Sequence, residues 1–96
     1  MTDAQVAVLL EQLTSVGFAA YYRKPGYDGW PASEARHLHV LWVGAAMKSS
    51  LRSQMRDWDV GKNALASHTT YTFKTWTQCW RDSLWTRYLT KNSATN

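Results

Sequence analysis

The chain has 96 residues, a formal net charge of +4, and 45% hydrophobic and 19% charged residues. This length allows one small domain, and the composition is typical of globular rather than disordered proteins. The single cysteine, Cys79, excludes an intrachain disulfide framework, and no apolar run approaches the ~20 residues needed to cross a bilayer.

The first predicted element is a helix over residues 3–16. Thr2 and Gln5 have the spacing of a capping box, in which each side chain accepts a hydrogen bond from the other residue's backbone N–H. Gly17 follows, at a position where helices often end on a residue with positive φ. Apolar residues recur between these signals at the spacing of one helix face: Val6, Leu9, Leu10, Leu13 and Val16.

Two strands and a long loop are predicted over residues 18–43. The aromatic run 18–23 lacks a helical start signal and is typical of a strand. The loop over 24–35 holds both prolines, and its length is unusual in a compact domain unless the loop has a function. Residues 36–43 alternate between two sets of side chains, which predicts a strand with both of its histidines on one face.

Three further elements are predicted in the second half of the chain. Apolar spacing predicts a helix over 47–60 that ends at Gly61, and the alternation of TYTFK predicts a short strand over 70–74. Tryptophans at four-residue spacing predict a helix over 76–90, and the tail 92–96 is predicted to be frayed. The whole chain is therefore predicted to be one α+β domain, with a small antiparallel sheet of two to three strands packed with three helices.

The histidine pair is the sharpest candidate for chemistry. His37 and His39 would present two imidazoles, roughly 6–7 Å apart at their bases, to one point, which suits a divalent metal. A catalytic zinc needs three protein ligands, so a further ligand would have to come from elsewhere. The alternative is that two partly exposed strand histidines bind nothing. The candidate third ligands are His68, Asp28, Glu34 and Asp57.

Basic residues of the second predicted helix are candidates for contacts with phosphates. Arg36 and aromatic side chains that stack on bases would add to such a nucleic-acid site. Asp57 and Asp59 interrupt the basic run, and the alternative is a solvated helix face. The candidate phosphate-binding residues are Lys48, Arg52, Arg56 and Lys62.

The tryptophans are candidates for a protein–protein contact. Six tryptophans and five tyrosines stand against two phenylalanines, and this excess suits either a compact core or a binding surface. One small domain does not easily bury all the tryptophans of the last helix, so some are expected to meet a partner or a second copy of the chain. Cys79 has no visible activating base and is expected to be an inert thiol. The candidate partner-binding residues are Trp30, Trp76, Trp80 and Trp85.

Four segments together resemble one protein family. They are GFAAYYR at 17–23, GYDGWP at 26–31, ARHLHVLWVG at 35–44 and DVGKNALASH at 59–68. In this order they resemble the C-terminal half of the zinc D-Ala-D-Ala carboxypeptidase-like domains, related to the hedgehog fold, of actinobacteria and their phages. The resemblance covers roughly residues 5–70 and leaves 71–91, the extra strand and the Trp-rich helix, outside it.

The resemblance implies a role for each histidine of the pair. His39 matches a zinc ligand of the family, and His37 matches a histidine that orients or polarises the reacting groups. Zinc would act there as a Lewis acid and would activate a water that attacks an amide of peptidoglycan. The other two zinc ligands of the family, a His and an Asp, lie in an upstream SxHxxGxxxD-like motif that these 96 residues do not contain.

Three functions are therefore expected, in order of preference. The first is a small phage-related binding protein, for example an anti-CRISPR-like inhibitor of host defence, which contacts a host or phage protein and needs no cofactor. The second is a zinc-dependent peptidoglycan D-Ala peptidase or its accessory half, and the third is a nucleic-acid-binding module. The segment MTDAQVAVLL carries an acid where a signal peptide has positive charges, so a cytoplasmic location without a membrane partner is expected.

Overall fold

The computed structural model describes residues 1–73 and 78–92. Within these ranges lie three helices and two strands, and the strands form a two-stranded antiparallel sheet. The predicted α+β architecture is confirmed. No helix in the described ranges has the length and apolar character that a bilayer crossing requires. The elements are α1 (Asp3–Ser15), β1 (Phe18–Arg23), β2 (His37–Trp42), α2 (Ser49–Asp59) and α3 (Gln78–Asn92).

Helix α1 begins and ends on the signals identified in the sequence. The Thr2 hydroxyl accepts from the Gln5 backbone N–H at 3.1 Å, and the Gln5 side-chain oxygen accepts from the Thr2 N–H at 2.8 Å. These two bonds complete the predicted capping box. The chain leaves the helix through Val16 and Gly17, which has a φ of +109°. Such a backbone angle strains any residue with a Cβ, so glycine is required to turn the chain into β1.

The sheet lies between two apolar layers. One face, including Ala20 and Tyr22, packs against Val6 and Leu10 of α1. The opposite face belongs to a larger core that α2, α3 and the segment between them complete. Each face of the sheet is therefore covered over part of its area, and the strand alternation decides which side chains enter which layer. The buried residues of the larger core are Ala19, Tyr21, Leu41, Val43, Met47, Met55, Trp58, Tyr71, Leu84 and Tyr88.

Helices α2 and α3 lie close to their predicted positions. Helix α2 begins at Ser49 rather than at Met47, because Lys48 adopts an extended backbone and the Met47 N–H donates to Asn92 Oδ1 at 2.7 Å. It ends before Gly61, which has the positive φ expected of its cap, +74°. Helix α3 continues to Asn92, which is buried and hydrogen-bonded, so the predicted frayed tail does not include this residue. Residues 76 and 77, with which the prediction began, lie outside the described ranges.

The strand predicted over 70–74 is not formed in its described part, residues 70–73. Thr70 makes one isolated bridge with Lys62, and the chain then turns. Distant side chains hold this segment instead of a strand ladder. The Asp28 carboxylate accepts from both the backbone N–H and the hydroxyl of Thr72, and the Tyr71 hydroxyl accepts from the Tyr22 N–H at 2.7 Å.

Two tyrosines are buried between the sheet and the segment that follows α2. The rings of Tyr21 and Tyr71 meet edge to face, with centroids 4.9 Å apart. The Tyr21 hydroxyl donates to the Lys62 carbonyl oxygen at 2.8 Å. Burial raises the pKa of Tyr21 and of Tyr71 well above the ordinary value of a phenol.

The raised pKa values predict a loss of stability at alkaline pH. In the unfolded chain both phenols ionise above about pH 10, whereas in the folded protein they remain neutral. Their contribution is therefore fully present below about pH 10, and the free energy of unfolding falls above it by about 1.4 kcal/mol per pH unit for each tyrosine. Urea titrations at several alkaline pH values measure this slope. The variant Tyr71→Phe is expected to show a clearly smaller slope, and an unchanged slope would contradict the prediction.

Candidate functional site

The histidine pair lies at the end of the sheet where β1 stops and β2 begins. Cross-strand pairing sets Tyr21 opposite His39 and Arg23 opposite His37, so all four side chains belong to one face. This face forms one wall of a cleft of about 210 Å³, called here the histidine cleft. Its lining residues are Arg23, Trp30, His37, His39, Gln54, Ala64 and Leu65.

Each histidine of the pair is oriented by an oxygen acceptor. His37 is exposed, and its Nδ1 donates to the Ala35 carbonyl oxygen at 3.1 Å. Its ring also meets the Trp30 indole, with centroids 5.0 Å apart. His39 is half-buried, and its Nε2 lies 2.5 Å from Gln54 Oε1. Because both acceptors are oxygens without a proton, the bonds place one proton on Nδ1 of His37 and one on Nε2 of His39.

The candidate third metal ligands form no three-residue cluster with the histidine pair in the described part of the chain. His68 Nδ1 is 2.7 Å from the Asp57 carboxylate. Asp28 accepts from Thr72, and Glu34 is exposed. Across residues 1–73 and 78–92, no three metal-ligating side chains come together. The described residues therefore do not by themselves assemble the three protein ligands of a catalytic zinc, and zinc binding stays a prediction.

Arg23 is a cleft residue that the sequence analysis did not identify. It is only 4% exposed, and its guanidinium lies over the rings of Tyr21, at 4.7 Å, and Trp30, at 5.9 Å. Its Nη1 donates to the Asn63 carbonyl oxygen at 2.6 Å. Burial lowers the pKa of Arg23. The available signal was its strand position, since Arg23 has the same parity as the inward-facing Tyr21.

The two loops that contribute Trp30, Ala64 and Leu65 to the cleft are joined through Asn63. This side chain is completely buried, and its Nδ2 is within hydrogen-bond distance of the Asp28 carbonyl oxygen and of two hydroxyls. Its Oδ1 accepts from the Leu65 N–H at 3.0 Å. These bonds tie the long loop over 24–35 to the loop that follows α2. Three residues beside them, Asp28, Ala64 and His68, have positive φ without being glycine, which marks backbone strain held by this network.

The basic residues of α2 form a stripe rather than a pocket. Lys48 and Arg56 are exposed at four-residue spacing from Arg52, whose Nη1 donates to the Met47 carbonyl oxygen at 2.8 Å. Lys62 is exposed beyond the end of the helix. Asp57 and Asp59, which were expected to interrupt the basic run, each have another partner. Asp57 is buried and bonded to His68, and the Asp59 carboxylate lies 3.9 Å from Arg81. Phosphate binding by this stripe stays a prediction.

The candidate tryptophans are found in different surroundings. Trp30 is half-buried in the histidine cleft, where its indole N–H donates to the Ala35 carbonyl oxygen at 3.1 Å. On α3, Trp85 is half-buried and stacks on Tyr88 with centroids 4.9 Å apart, whereas Trp80 is 36% exposed. Trp76 lies outside the described residues. The structure therefore joins Trp30 to the histidines and places the α3 tryptophans on another element.

An exposed strand edge was not identified from the sequence. The Val43 N–H donates to the Gly17 carbonyl oxygen, which makes these two residues a hydrogen-bonded pair. Hydrogen-bonded and non-hydrogen-bonded pairs alternate along an antiparallel ladder. The backbone N–H and C=O groups of Leu38, Val40 and Trp42 therefore point away from β1. In the described part of the chain, no other backbone group pairs with them. These three residues are called here the β2 edge.

The side chains of the β2 edge add apolar surface to the unpaired backbone. Val40 is 41% exposed and Trp42 is 49% exposed. The Trp42 ring contacts Phe18 across the strands, with centroids 5.0 Å apart, and it lies close over Gly17 and Gly44. A Cβ at Gly44 would collide with the indole, so glycine at this position sets where the indole lies.

No family model, curated protein or solved structure matches this chain. The resemblance to the C-terminal half of the zinc D-Ala-D-Ala carboxypeptidase-like domains therefore stays a prediction. The structure assembles two features that bear on function, the histidine cleft and the β2 edge.

Proposed function

We propose that this chain is a small binding protein that acts by protein–protein contact and takes up an extended segment of its partner along the β2 edge. The observation that carries this proposal is the row of outward backbone N–H and C=O groups at Leu38, Val40 and Trp42. An extended peptide that adds a strand to such an edge gains main-chain hydrogen bonds, and its alternate side chains supply specificity.

Within residues 1–73 and 78–92, the β2 edge shows none of the devices that usually protect an edge strand. Natural edges carry a lysine, a proline, a bulge or a covering element, because unpaired edges otherwise recruit other chains. The six residues of β2 include no proline, lysine or acid, and their pairing with β1 is regular. The outer edge of β1 differs, since the Tyr71 hydroxyl accepts from the Tyr22 N–H there. An edge left open in this way supports a role in binding.

The exposed side chains define the chemistry of the partner segment. Val40 and Trp42 lie on one face, so the segment should carry apolar residues at alternate positions facing them. Trp42 is the natural anchor, since exposed tryptophans are common at the centres of interfaces. The net charge of +4, together with exposed Arg36 at the start of β2, favours acidic residues at the ends of the segment.

The biological setting of this contact follows the sequence-based expectation. We propose a phage-related inhibitor of a host protein in the bacterial cytoplasm, a role supported by small size, basic charge and excess tryptophan. The zinc peptidase and the nucleic-acid-binding module are kept as alternative predictions. Bound zinc that is lost in His39→Ala would support the zinc peptidase. An affinity for nucleic acid that falls steeply as the salt concentration rises would support the nucleic-acid-binding module.

Two substitutions at one position separate edge pairing from side-chain contact. Val40→Pro removes the outward N–H, and proline is tolerated where that N–H lies outside the ladder. Val40→Thr is the matched control, because threonine keeps both the N–H and the branched shape. Both variants should be folded, as judged by circular dichroism and by the dispersion of NMR spectra.

A random peptide library displayed on a surface supplies the probe. Selection on the wild-type chain is expected to enrich peptides with alternating apolar residues and acidic ends. A selected peptide should bind Val40→Thr like the wild type and Val40→Pro at least about tenfold more weakly. Equal binding by the two variants would show that the edge is not used, and dimerisation of the wild type through β2 would assign the edge to a second copy instead.

A further inference from the structure

We infer that the histidine cleft is a binding site for a small organic carboxylate, with the Arg23 guanidinium as its anchor. The inference goes beyond the proposed contact, because the ligand would bind on a face of the sheet rather than at the β2 edge. It rests on the burial of Arg23, on the charges that surround it and on the shape of the cleft.

Arg23 is a buried cation that makes no ion pair among the described residues, and the charge of the Asp28 carboxylate acts on it only from beyond ion-pair distance. No carboxylate in residues 1–73 and 78–92 lies within 4.0 Å of its guanidinium. Its guanidinium donates one hydrogen bond, to the Asn63 carbonyl oxygen, and lies over the faces of two aromatic rings. A guanidinium carries five N–H donors, and no Arg23 nitrogen is among the fully buried atoms that lack a partner, so its remaining donors reach the open cleft. An anion in the cleft would pair with these donors and offset the cost of holding a cation at this low exposure.

The other polar residues around Arg23 suit an anion as well. His37, His39 and Gln54 line the same cleft, and none of the seven lining residues is acidic. Trp30, Ala64 and Leu65 supply an apolar wall beside these polar groups. The cleft therefore matches a molecule with a negative end and a compact apolar body, in the way that binding pockets combine apolar walls with a few placed polar groups.

A carboxylate fits this site better than a phosphate. The planar guanidinium group donates two parallel hydrogen bonds to the two oxygens of a carboxylate. Among the described residues that line the cleft, Arg23 is the one that is permanently charged, so it would neutralise only half of the charge of a phosphate dianion. The cleft volume of about 210 Å³ suits a ligand the size of one amino acid or of an aromatic carboxylic acid with a single ring.

Titration of the full chain with benzoate tests the inference. Benzoate pairs a carboxylate with a flat apolar body, and benzamide is its neutral analogue of the same shape. Benzoate is expected to cause saturable NMR shifts at the Arg23 Nε–H and the Trp30 indole N–H, and not at the Trp42 indole. Benzamide should bind at least about tenfold more weakly, because it lacks the charge that pairs with the guanidinium. Inorganic phosphate should also bind more weakly than benzoate.

Two arginine substitutions separate a specific anchor from the overall charge. Arg23→Met should abolish benzoate binding, whereas Arg36→Met removes the same charge from an exposed arginine outside the cleft and should leave binding unchanged. Should Arg23→Met fail to fold, the shift map of the wild type decides alone. Absence of saturable shifts, equal affinity for benzamide, or equal loss in Arg36→Met would each overturn the inference. Val40→Pro should bind benzoate normally, so failure of the edge contact and failure of this site are distinguishable.

Discussion

Replacing Trp58 with alanine is expected to lower the free energy of unfolding by about 4 kcal/mol. Trp58 is 0% exposed and lies in the larger core with Tyr21, Met55 and Leu84. Truncation removes the largest fully buried side chain of the described fold and leaves a cavity that the surrounding helices and strands fill only in part. Because small domains are stable by only about 5–15 kcal/mol, this loss removes a large part of the free energy of unfolding and should lower the urea midpoint strongly.

Trp42→Ala provides the matched control for this experiment. Trp42 is the same residue type but is 49% exposed, so its truncation should cost about 1 kcal/mol. Urea unfolding followed by circular dichroism compares the two midpoints without depending on which tryptophan fluoresces. Equal losses in the two variants would show that Trp58 is not the centre of the core.

Replacing Asn63 with alanine is expected to destabilise the fold by about 3 kcal/mol. The buried amide joins the loop over 24–35 to the loop after α2, through bonds to the Asp28 carbonyl oxygen at 2.9 Å and to the Leu65 N–H at 3.0 Å. Alanine would leave these backbone groups without their partner, and unpaired buried groups are more costly than a lost exposed bond. Thermal unfolding should show a lowered midpoint.

Ser67→Ala tests whether the effect belongs to the network or to a single bond. Ser67 is exposed, and its hydroxyl is one of three acceptors near Asn63 Nδ2, so its loss should cost less than about 1 kcal/mol. Benzoate binding provides a second readout. The Asn63 side chain holds the loop in place, and the backbone carbonyl oxygen of the same residue accepts from Arg23. Benzoate binding should therefore weaken in Asn63→Ala and persist in Ser67→Ala. An Asn63→Ala variant as stable as Ser67→Ala would contradict the structural role given to this amide.

The parts of the fold that the sequence predicted are those with local causes. The capping box of Thr2 and Gln5 and the positive φ of Gly61 depend on neighbours within a few residues, so α1 and α2 were placed within two residues at each end. The strand over 70–74 was predicted by the same local rule and did not form in its described part. Its failure has a tertiary cause, since Asp28 and Tyr22, more than 40 residues away, hold Thr72 and Tyr71.

The candidate site shows the same division. The alternation of β2 correctly placed His37 and His39 on one face, because side-chain direction in a strand depends on parity alone. The position of a residue along a strand does not reveal how deeply its side chain is buried. Arg23 was therefore not predicted as a site residue, although it is buried beside the two histidines. Nor does that position reveal which edge of a strand remains unpaired, so the β2 edge became visible only once the pairing of the strands was known.

The sequence by itself determined the class of the domain, the ends of α1 and α2 to within two residues, and the shared face of the two histidines. Each of these depends on spacing and on backbone preferences that act within one element. The tertiary structure alone decided that Arg23 is buried without an ion pair among the described residues, that Asn63 joins two loops, and that the described part of the chain leaves the outer edge of β2 unpaired. These features arise where segments distant in the chain meet, because burial and pairing are properties of the packed layers and not of any single segment.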